Sequence, residues 1–338
     1  MKPELMTKLN IAVEHLIWKK AELLKEHPEI KLGTTGAPVP EGYVEDDPKR
    51  CPVNTEWPAW IQSEKQAVVD IMDEILAEQP RPDTSKFPKI NSGNLWVWGG
   101  PTPFWGGSMA DDALIRGAEY FNADNGVYVY GPTNEKMMGL HSGFKRLLCQ
   151  INSNCRTPGA QENSSDQENA ERLSRLSLQF PNIEGAMCDD LAVKYQKAVL
   201  PDVMKECYHA LKKHNERLQM YGVVYTWELE QKDFQPVLPY LDGISLWFWK
   251  LEELVKYDHY MELVRRYFPG KKILQGVFIH EYGRSDSANP PHLLKYQLDK
   301  TRQYMAEGLI DGVIILGDRE IKKWPESAEA VKNYLRDQ

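Results

Sequence analysis

From residue 94 onward, eight short apolar runs recur, most of them ending in polar, acidic or aromatic residues: 94-NLWVWGG, 126-GVYVYGP, 147-LLCQINSN, 183-IEGAMCDD, 218-LQMYGVVYTWE, 241-LDGISLWFW, 271-KKILQGVFIHEYG and 311-DGVIILGDRE. Most are separated by stretches whose apolar positions repeat at helical spacing. Short apolar runs bounded by turn residues read as strands covered on both faces. Eight strands alternating with helices predict an α/β fold, a (β/α)8 TIM barrel. In that fold the residues just past each strand's C-terminal end form the active site. The run 313-VIIL fits a buried helix equally well by periodicity; its bracketing Gly312 and Gly317 favour a strand.

The intervening pattern predicts helices over 109–122, within 133–145, over 163–180 with a polar start suited to capping, and over 193–215. A weak helix over 228–240 is broken by Pro236 and Pro239. Further helices span 251–268, from Pro290-Pro291 to Gly308, and 325–336. Ahead of the first strand, Leu5, Leu9, Val13, Leu16 and Leu23 mark a surface helix within 1–27. Residues 28–58 are rich in Pro and Gly and read as extended loop, 59–78 as a second helix, and 79-QPRPDTSKFP as a linker. The expected organisation is an N-terminal helical extension, residues 1–90, packed on a barrel of residues 91–338.

Composition narrows the partners. The 338 residues carry a net charge of −8, spread along the chain with no Lys/Arg-rich block, which argues against a nucleic-acid partner. No run is long enough to span a bilayer. The N-terminus carries no secretion signal, an expectation of a cytoplasmic protein unless a leader has been removed. Cys51, Cys149, Cys155, Cys188 and Cys207 form no CxxC pair and read as reduced structural thiols.

Carboxylates gather at the strand ends. Asp189-Asp190 closes strand four. Side chains alternate along a strand, so if Asp190 faces the mouth, Ala186 and Cys188 do too, Met187 and Ile183 face the helices, and Asp189 stands behind Asp190. The competing role for the pair is to cap the next helix. Glu228 follows strand five. Adjacent strands lie about 4.8 Å apart, so Asp190 and Glu228 could approach the ~5–5.5 Å used in retaining glycoside cleavage. Alternatively Glu228 is a first-turn helix residue favoured by the dipole. His280 and Glu281 end strand seven, and only one of them can face the mouth; His280 could bond a hydroxyl or relay a proton, or be a satisfied structural histidine. Asp318 and Glu320 follow strand eight, where Asp318-Arg319 could be a surface ion pair.

Aromatic residues crowd the same ends: Trp96, Trp98, Phe104, Trp105, Tyr128, Tyr130, Tyr225, Trp227, Trp247 and Trp249. Flat rings suit the C–H faces of sugars while leaving hydroxyls free to hydrogen-bond; ordinary barrel packing is the alternative for any one ring. Gln150, Asn152 and Asn154 recur at period two on strand three. A polar ladder is costly inside a helix–sheet layer, so this face is expected to look into the mouth. The absence of a strand-end Lys weakens a Schiff-base aldolase. Without a tight His cluster, no metal is expected. Without a glycine-rich phosphate loop or nucleotide fingerprint, no cofactor is expected.

With these residues in place, residues 91–338 resemble the broad (β/α)8-barrel glycoside hydrolase superfamily. The resemblance rests on Asp189, Asp190, Glu228, Glu281 and the aromatic rim. Families with an Asp nucleophile after strand four and a Glu acid after strand five would imply Asp190 and Glu228. Those with the acid/base after strand four and the nucleophile after strand seven would imply Asp190 and Glu281. Strand four ends in Asp-Asp rather than Asn-Glu, and the DxxDxDxE signature of chitinase-like barrels is absent. The expected function is metal-independent hydrolysis of an oligosaccharide or glycoconjugate by Asp190 with Glu228 or Glu281, supported by Asp189. Trp98, Tyr130, Asn152, Trp227, Trp247, Trp249, His280 and Asp318 would contact the carbohydrate. The alternatives are a carbohydrate-binding barrel without turnover, and a lyase or isomerase using His280 with an acid. No motif sets the linkage, the stereochemical outcome or the oligomeric state.

Overall fold

The computed structural model describes residues 2–32, 38–39, 59–80, 83–101, 110–152, 164–191, 201–281, 287–317 and 319–338. Eight strands lie where the apolar runs place them: β1 (Leu95–Gly99), β2 (Asn125–Tyr128), β3 (Arg146–Gln150), β4 (Ile183–Cys188), β5 (Gln219–Tyr225), β6 (Gly243–Trp247), β7 (Lys272–Val277) and β8 (Gly312–Leu316). Each pairs in parallel with its sequence neighbours. β8 also pairs with β1, with Ile314 beside Trp96, so the sheet closes into a (β/α)8 barrel. The run 313-VIIL is therefore a strand.

The helices are α1 (Pro3–Glu26), α2 (Ala59–Ala77), α3 (Ala113–Phe121), α4 (Glu135–Leu140), α5 (Asp166–Gln179), α6 (Pro201–Lys212), α7 (Tyr257–Tyr267), α8 (Pro291–Ala306), α9 (Arg319–Lys323) and α10 (Pro325–Asp337). Ser165 caps α5: its hydroxyl accepts the Glu168 N–H, and the Glu168 carboxylate accepts the Ser165 N–H in return. The weak helix expected over 228–240 is instead two 3-10 turns, Thr226–Glu230 and Leu238–Tyr240. Pro236 and Pro239 lack the N–H that a longer ladder needs. The segment expected as one helix over 251–268 begins as a 3-10 turn, Leu251–Lys256, before α7. The first part of the helix expected over 193–215 lies outside the described residues.

Inside the barrel, alternate residues of each strand form one buried cluster, including Trp96 and Trp98 from β1, Leu148 from β3, Met187 from β4, Tyr221 and Tyr225 from β5, and Trp247 from β6. So many large rings fit because glycines face them. A Cβ at Gly276 would lie 2.0 Å from the Trp247 ring, and one at Gly243 would lie 2.4 Å from the Tyr221 ring. On β4 the parity expected of Ala186, Met187 and Cys188 is reversed, while Ile183 packs with the helix layer as expected. Met187 points inward, 3.8 Å from the Ser245 hydroxyl, while Ala186 and Cys188 pack outward with the helix layer. The small Ser245 of β6, two strands away, leaves room for the larger side chain here.

α1 and α2 run antiparallel, joined by Lys2–Glu78, Lys8–Glu74 and His15–Glu64 contacts. Leu9, Val13, Leu16, Ile61 and Met72 belong to the same continuous apolar cluster as the outer faces of the strands. α2 meets the barrel through Lys65–Glu281 at 2.9 Å, His292–Asp73 at 2.9 Å and Gln79, which donates to the Val255 carbonyl. Among the described residues no helix is long and apolar enough to cross a membrane. Cys149, Cys188 and Cys207 are buried; Cys51 and Cys155 lie outside the described residues.

Candidate functional site

The C-terminal ends of the strands carry a closed circuit of side-chain and backbone contacts. Trp98 of β1 donates its indole N–H to the Tyr130 hydroxyl after β2 (3.2 Å). The Tyr130 N–H donates to Gln150 Oε1 of β3 (3.0 Å), and the Gln150 amide donates to Asn152 Oδ1 (3.3 Å). Asn152 accepts the Asp189 N–H (2.9 Å) and donates to the Asp189 carbonyl, clamping the peptides on both sides of Asp189. Next in the chain, Asp190 accepts the Tyr225 hydroxyl of β5 at 2.5 Å. The Tyr225 ring meets Trp249 edge-on at 4.6 Å, Trp249 meets Phe278 at 6.3 Å, Phe278 packs on Trp247 at 4.6 Å, and Trp247 returns to Trp98 at 5.7 Å. Seven strands thus contribute to one ring around the mouth.

Two backbone positions on this ring are strained. Tyr130 (φ 67°) and Asp190 (φ 51°) are non-glycine residues in the left-handed region, a conformation that costs about 1–3 kcal/mol and persists only where its surroundings impose it. For Tyr130 those surroundings are Gln150; for Asp190 they are the Asn152 clamp one residue earlier. The left-handed turn also resolves the parity of β4. Strand alternation ends at Cys188, so Asp190 reaches the mouth although Cys188 points outward.

Asp190 and Glu228 are electrostatically linked. Glu228 is fully buried on the 3-10 turn after β5. Its Oε2 accepts the Tyr225 N–H at 2.9 Å, while Oε1 has no hydrogen-bond partner among the described residues. Burial pushes the Glu228 carboxyl up to about 7. The Tyr225 N–H opposes this, the negative charge of Asp190 adds to it, and Lys232 opposes it. Burial also raises Asp190, partly offset by the Tyr225 hydroxyl. Asp190 is half-buried. Neither acid forms an ion pair among the described residues.

The other expected residues fall into three groups. Trp98 and Trp247 are almost wholly buried and plug the floor beneath the mouth, with the Trp247 N–H donating to Ser245. Tyr130, Trp227 and Trp249 are half-buried around it. Asp189 is buried beside Asp190, and Asn152 holds it in place through its backbone. His280 is fully buried, its ring 6.0 Å from Phe278. The Glu281 carboxylate is buried against Lys65 of α2, at 2.9 Å. With Trp249, Phe278 and His280 it lines a cavity of about 10 Å³, space for a single water. Asp318, Asn154, Phe104 and Trp105 lie outside the described residues, as does the side chain of Glu320. No group of three or more His, Cys, Asp or Glu among the described residues could hold a metal ion.

Two participants escaped the pattern of strand-end acids. Tyr225 is one ring among many in the sequence; its inward parity with Tyr221 and Val223 was the available signal. Glu253 sits in what reads as an ordinary amphipathic helix. Its carboxylate accepts the Thr226 hydroxyl (2.6 Å) and the Lys250 N–H (3.0 Å), tying the turn after β5 to the end of β6. Burial raises its pKa.

No protein-family model matches the sequence, and no curated protein matches it. Solved structures resemble it in shape. A glycoside hydrolase family 18 N-acetylglucosaminidase from Paenibacillus barengoltzii aligns with a TM-score of 0.45 at 11% identity, over 71% of this chain and 99% of that one. The PgaB (BpsB) glycoside hydrolase domain from Bordetella bronchiseptica aligns with a TM-score of 0.44 at 12% identity, over 73% and 99%. A GH2 β-galacturonidase from Eisenbergiella tayi, bound to galacturonate, aligns with a TM-score of 0.48 at 13% identity, over 72% of this chain but 50% of that one. This chain therefore spans nearly all of the first two and half of the third, and at these identities the likeness is one of fold.

Proposed function

We propose that the chain is a glycoside hydrolase acting on an oligosaccharide or glycoconjugate, with Asp190 as the reacting carboxylate at the mouth and Glu228 as the partner that holds a proton. The observation that carries this reading is the Asp190–Tyr225–Glu228 unit inside an aromatic mouth. Two acids in unlike surroundings divide the work of an acid and a base. A carboxyl near 7 is still about half protonated at neutral pH and has the strength of a general acid. The glycosidic carbon–oxygen bond breaks, and the leaving oxygen takes the proton of Glu228. The anomeric carbon gains a hydroxyl from water, and the water's second proton goes to a carboxylate. Asp190 either attacks the carbon first or activates that water. Trp249, half-buried against the Tyr225 ring, and Trp227, half-buried against the same barrel-interior cluster, offer ring faces to a sugar.

The test is Asp190→Asn, assayed on a panel of oligosaccharides and 4-nitrophenyl glycosides by release of reducing ends or nitrophenol. The variant should fold and lose turnover on every glycoside the wild type cleaves; full activity rejects the assignment. One observation favours a second reading. Glu228 is wholly buried and bonds the Tyr225 N–H as a structural cap would, which suits a mouth that binds sugar without cleaving it. Calorimetric sugar binding by the wild type with no cleavage across the panel would select that reading.

A further inference from the structure

Tyr225 touches both acids by different groups. Its hydroxyl lies 2.5 Å from Asp190 Oδ1 and its backbone N–H lies 2.9 Å from Glu228 Oε2. The phenol is an obligate donor in the first contact when Asp190 is ionised, and the amide is a donor in the second whatever the state of Glu228. The ring is held against rotation by the Trp249 contact at 4.6 Å and is almost fully buried. Taking Asp190 and Glu228 as the reacting pair, we propose that Tyr225 is a positioning residue that fixes which acid plays which part. Its hydroxyl holds Asp190 as the carboxylate and aims it across the mouth, and its backbone N–H anchors one oxygen of Glu228 so that the other is left to carry the proton.

The geometry supports this division in two ways. A hydrogen bond to an ionised carboxylate is about twice as strong as one between neutral groups, so the Tyr225 hydroxyl favours the charged form of Asp190 over the neutral one. The adjacent charge then disfavours ionisation of Glu228, and the Coulomb effect of Asp190 on Glu228 has that sign. Among the described residues, the ionisable groups acting around the pair are Asp189 on its own turn, Tyr225 on β5, and Lys232 opposite Glu228. The residues of β3 that face the same turn, Gln150 and Asn152, are uncharged.

Tyr225→Phe removes only the hydroxyl. It keeps the ring contact with Trp249 and the backbone bond to Glu228. With [γ-13C]aspartate labelling, the Asp190 carbon is identified by its loss in Asp190→Asn, and its titration midpoint should rise by about one pH unit in Tyr225→Phe. On any 4-nitrophenyl glycoside the wild type cleaves, the acidic limb of the kcat/KM profile should move up by the same amount. The basic limb should stay in place. In an Asp190→Asn background, Tyr225→Phe should have no further effect. A merely structural tyrosine would leave the Asp190 midpoint and the acidic limb where they are, and that result overturns the proposal. If Asp190→Asn is inactive while the midpoint is unmoved, the role of Tyr225 alone is rejected. If Asp190→Asn is fully active, the hydrolase reading is rejected and this proposal with it.

Discussion

The two ends of the same eight strands are finished with opposite chemistry. At the N-terminal end, charged groups meet partners. The Arg146 guanidinium forks onto Glu184, with one contact at 2.6 Å, and lies 4.6 Å over the Trp96 ring. Lys272 donates to Gln219, Lys212 pairs with Asp242 at 3.1 Å, and Asp242 and Asp311 accept the N–H groups that start β5 and β7. Among the described residues one non-glycine position there, Asn122 (φ 55°), is left-handed, and it is the C-cap of α3, where Asn is well tolerated. At the C-terminal end, the buried Glu228 and the half-buried Asp190 have no ion pair among the described residues, Tyr130 and Asp190 adopt left-handed backbone held by side chains of β3 and the turn after it, and aromatic rings line the mouth. Paired charge and an ordinary helix cap close one end of the barrel. Unpaired acids and strained backbone at the other end cost stability, and such costs concentrate where chemistry is done.

This contrast can be broken by substitution. The largest expected effect is at the mouth: Asp190→Asn should lower turnover by at least ~10³-fold with little change in unfolding midpoint. A large loss of stability with retained turnover per folded molecule would make the mouth resemble the opposite end.

The next effect follows from the burial of Glu228. Its carboxyl sits at about 7 in the fold against an ordinary 4.5, so the native state binds its proton more tightly than the unfolded chain. Stability then falls as pH rises from about 4.5 to 7, by up to roughly 3 kcal/mol. Glu228→Gln keeps an oxygen for the Tyr225 N–H and removes that slope. Denaturant titrations at pH 4.5, 6 and 8 should show the variant gaining on the wild type with pH; parallel curves would contradict the sign.

A smaller effect is expected from Asn152→Ala, which deletes both halves of the clamp on the Asp189 backbone. Misplacing Asp190 by about 1 Å should cost on the order of 10²-fold in turnover, and sugar affinity should change less. A pure loss of binding would make Asn152 a sugar contact. The smallest effect is at the other end. Glu184→Ala leaves Arg146 without its carboxylate and should cost about 1–2 kcal/mol in unfolding free energy, with unchanged turnover per folded molecule. A change in the pH profile of that variant would show that the two ends are coupled.

Much of the fold was legible because both periodicities are strong. The eight runs are almost wholly apolar, as strands covered on both faces must be, and each falls within a residue or two of an observed strand start. The site was legible only as a neighbourhood. Asp190 and Glu228 are marked by following β4 and β5, and Gln150 and Asn152 by their period of two. The parity of β4 was not legible. Met187 and Cys188 are both apolar, and only the space left by Ser245, two strands away, decides which of them turns inward. The Asn152 clamp and the Tyr225 bridge join residues far apart in the chain, so no local pattern announces them. The partner of Glu281, Lys65, lies in another helix altogether.

The order of elements, the closure into a barrel and the choice of the C-terminal rim followed from the sequence alone, since hydrophobic spacing is a local property and the parallel connection has one preferred hand. Which acids share a field, which backbone is strained, and which carboxylate is diverted into an ion pair with the N-terminal helices were decided by tertiary structure. Those outcomes depend on burial and on distances of a few ångströms between distant segments, and burial and distance exist only once the barrel has closed.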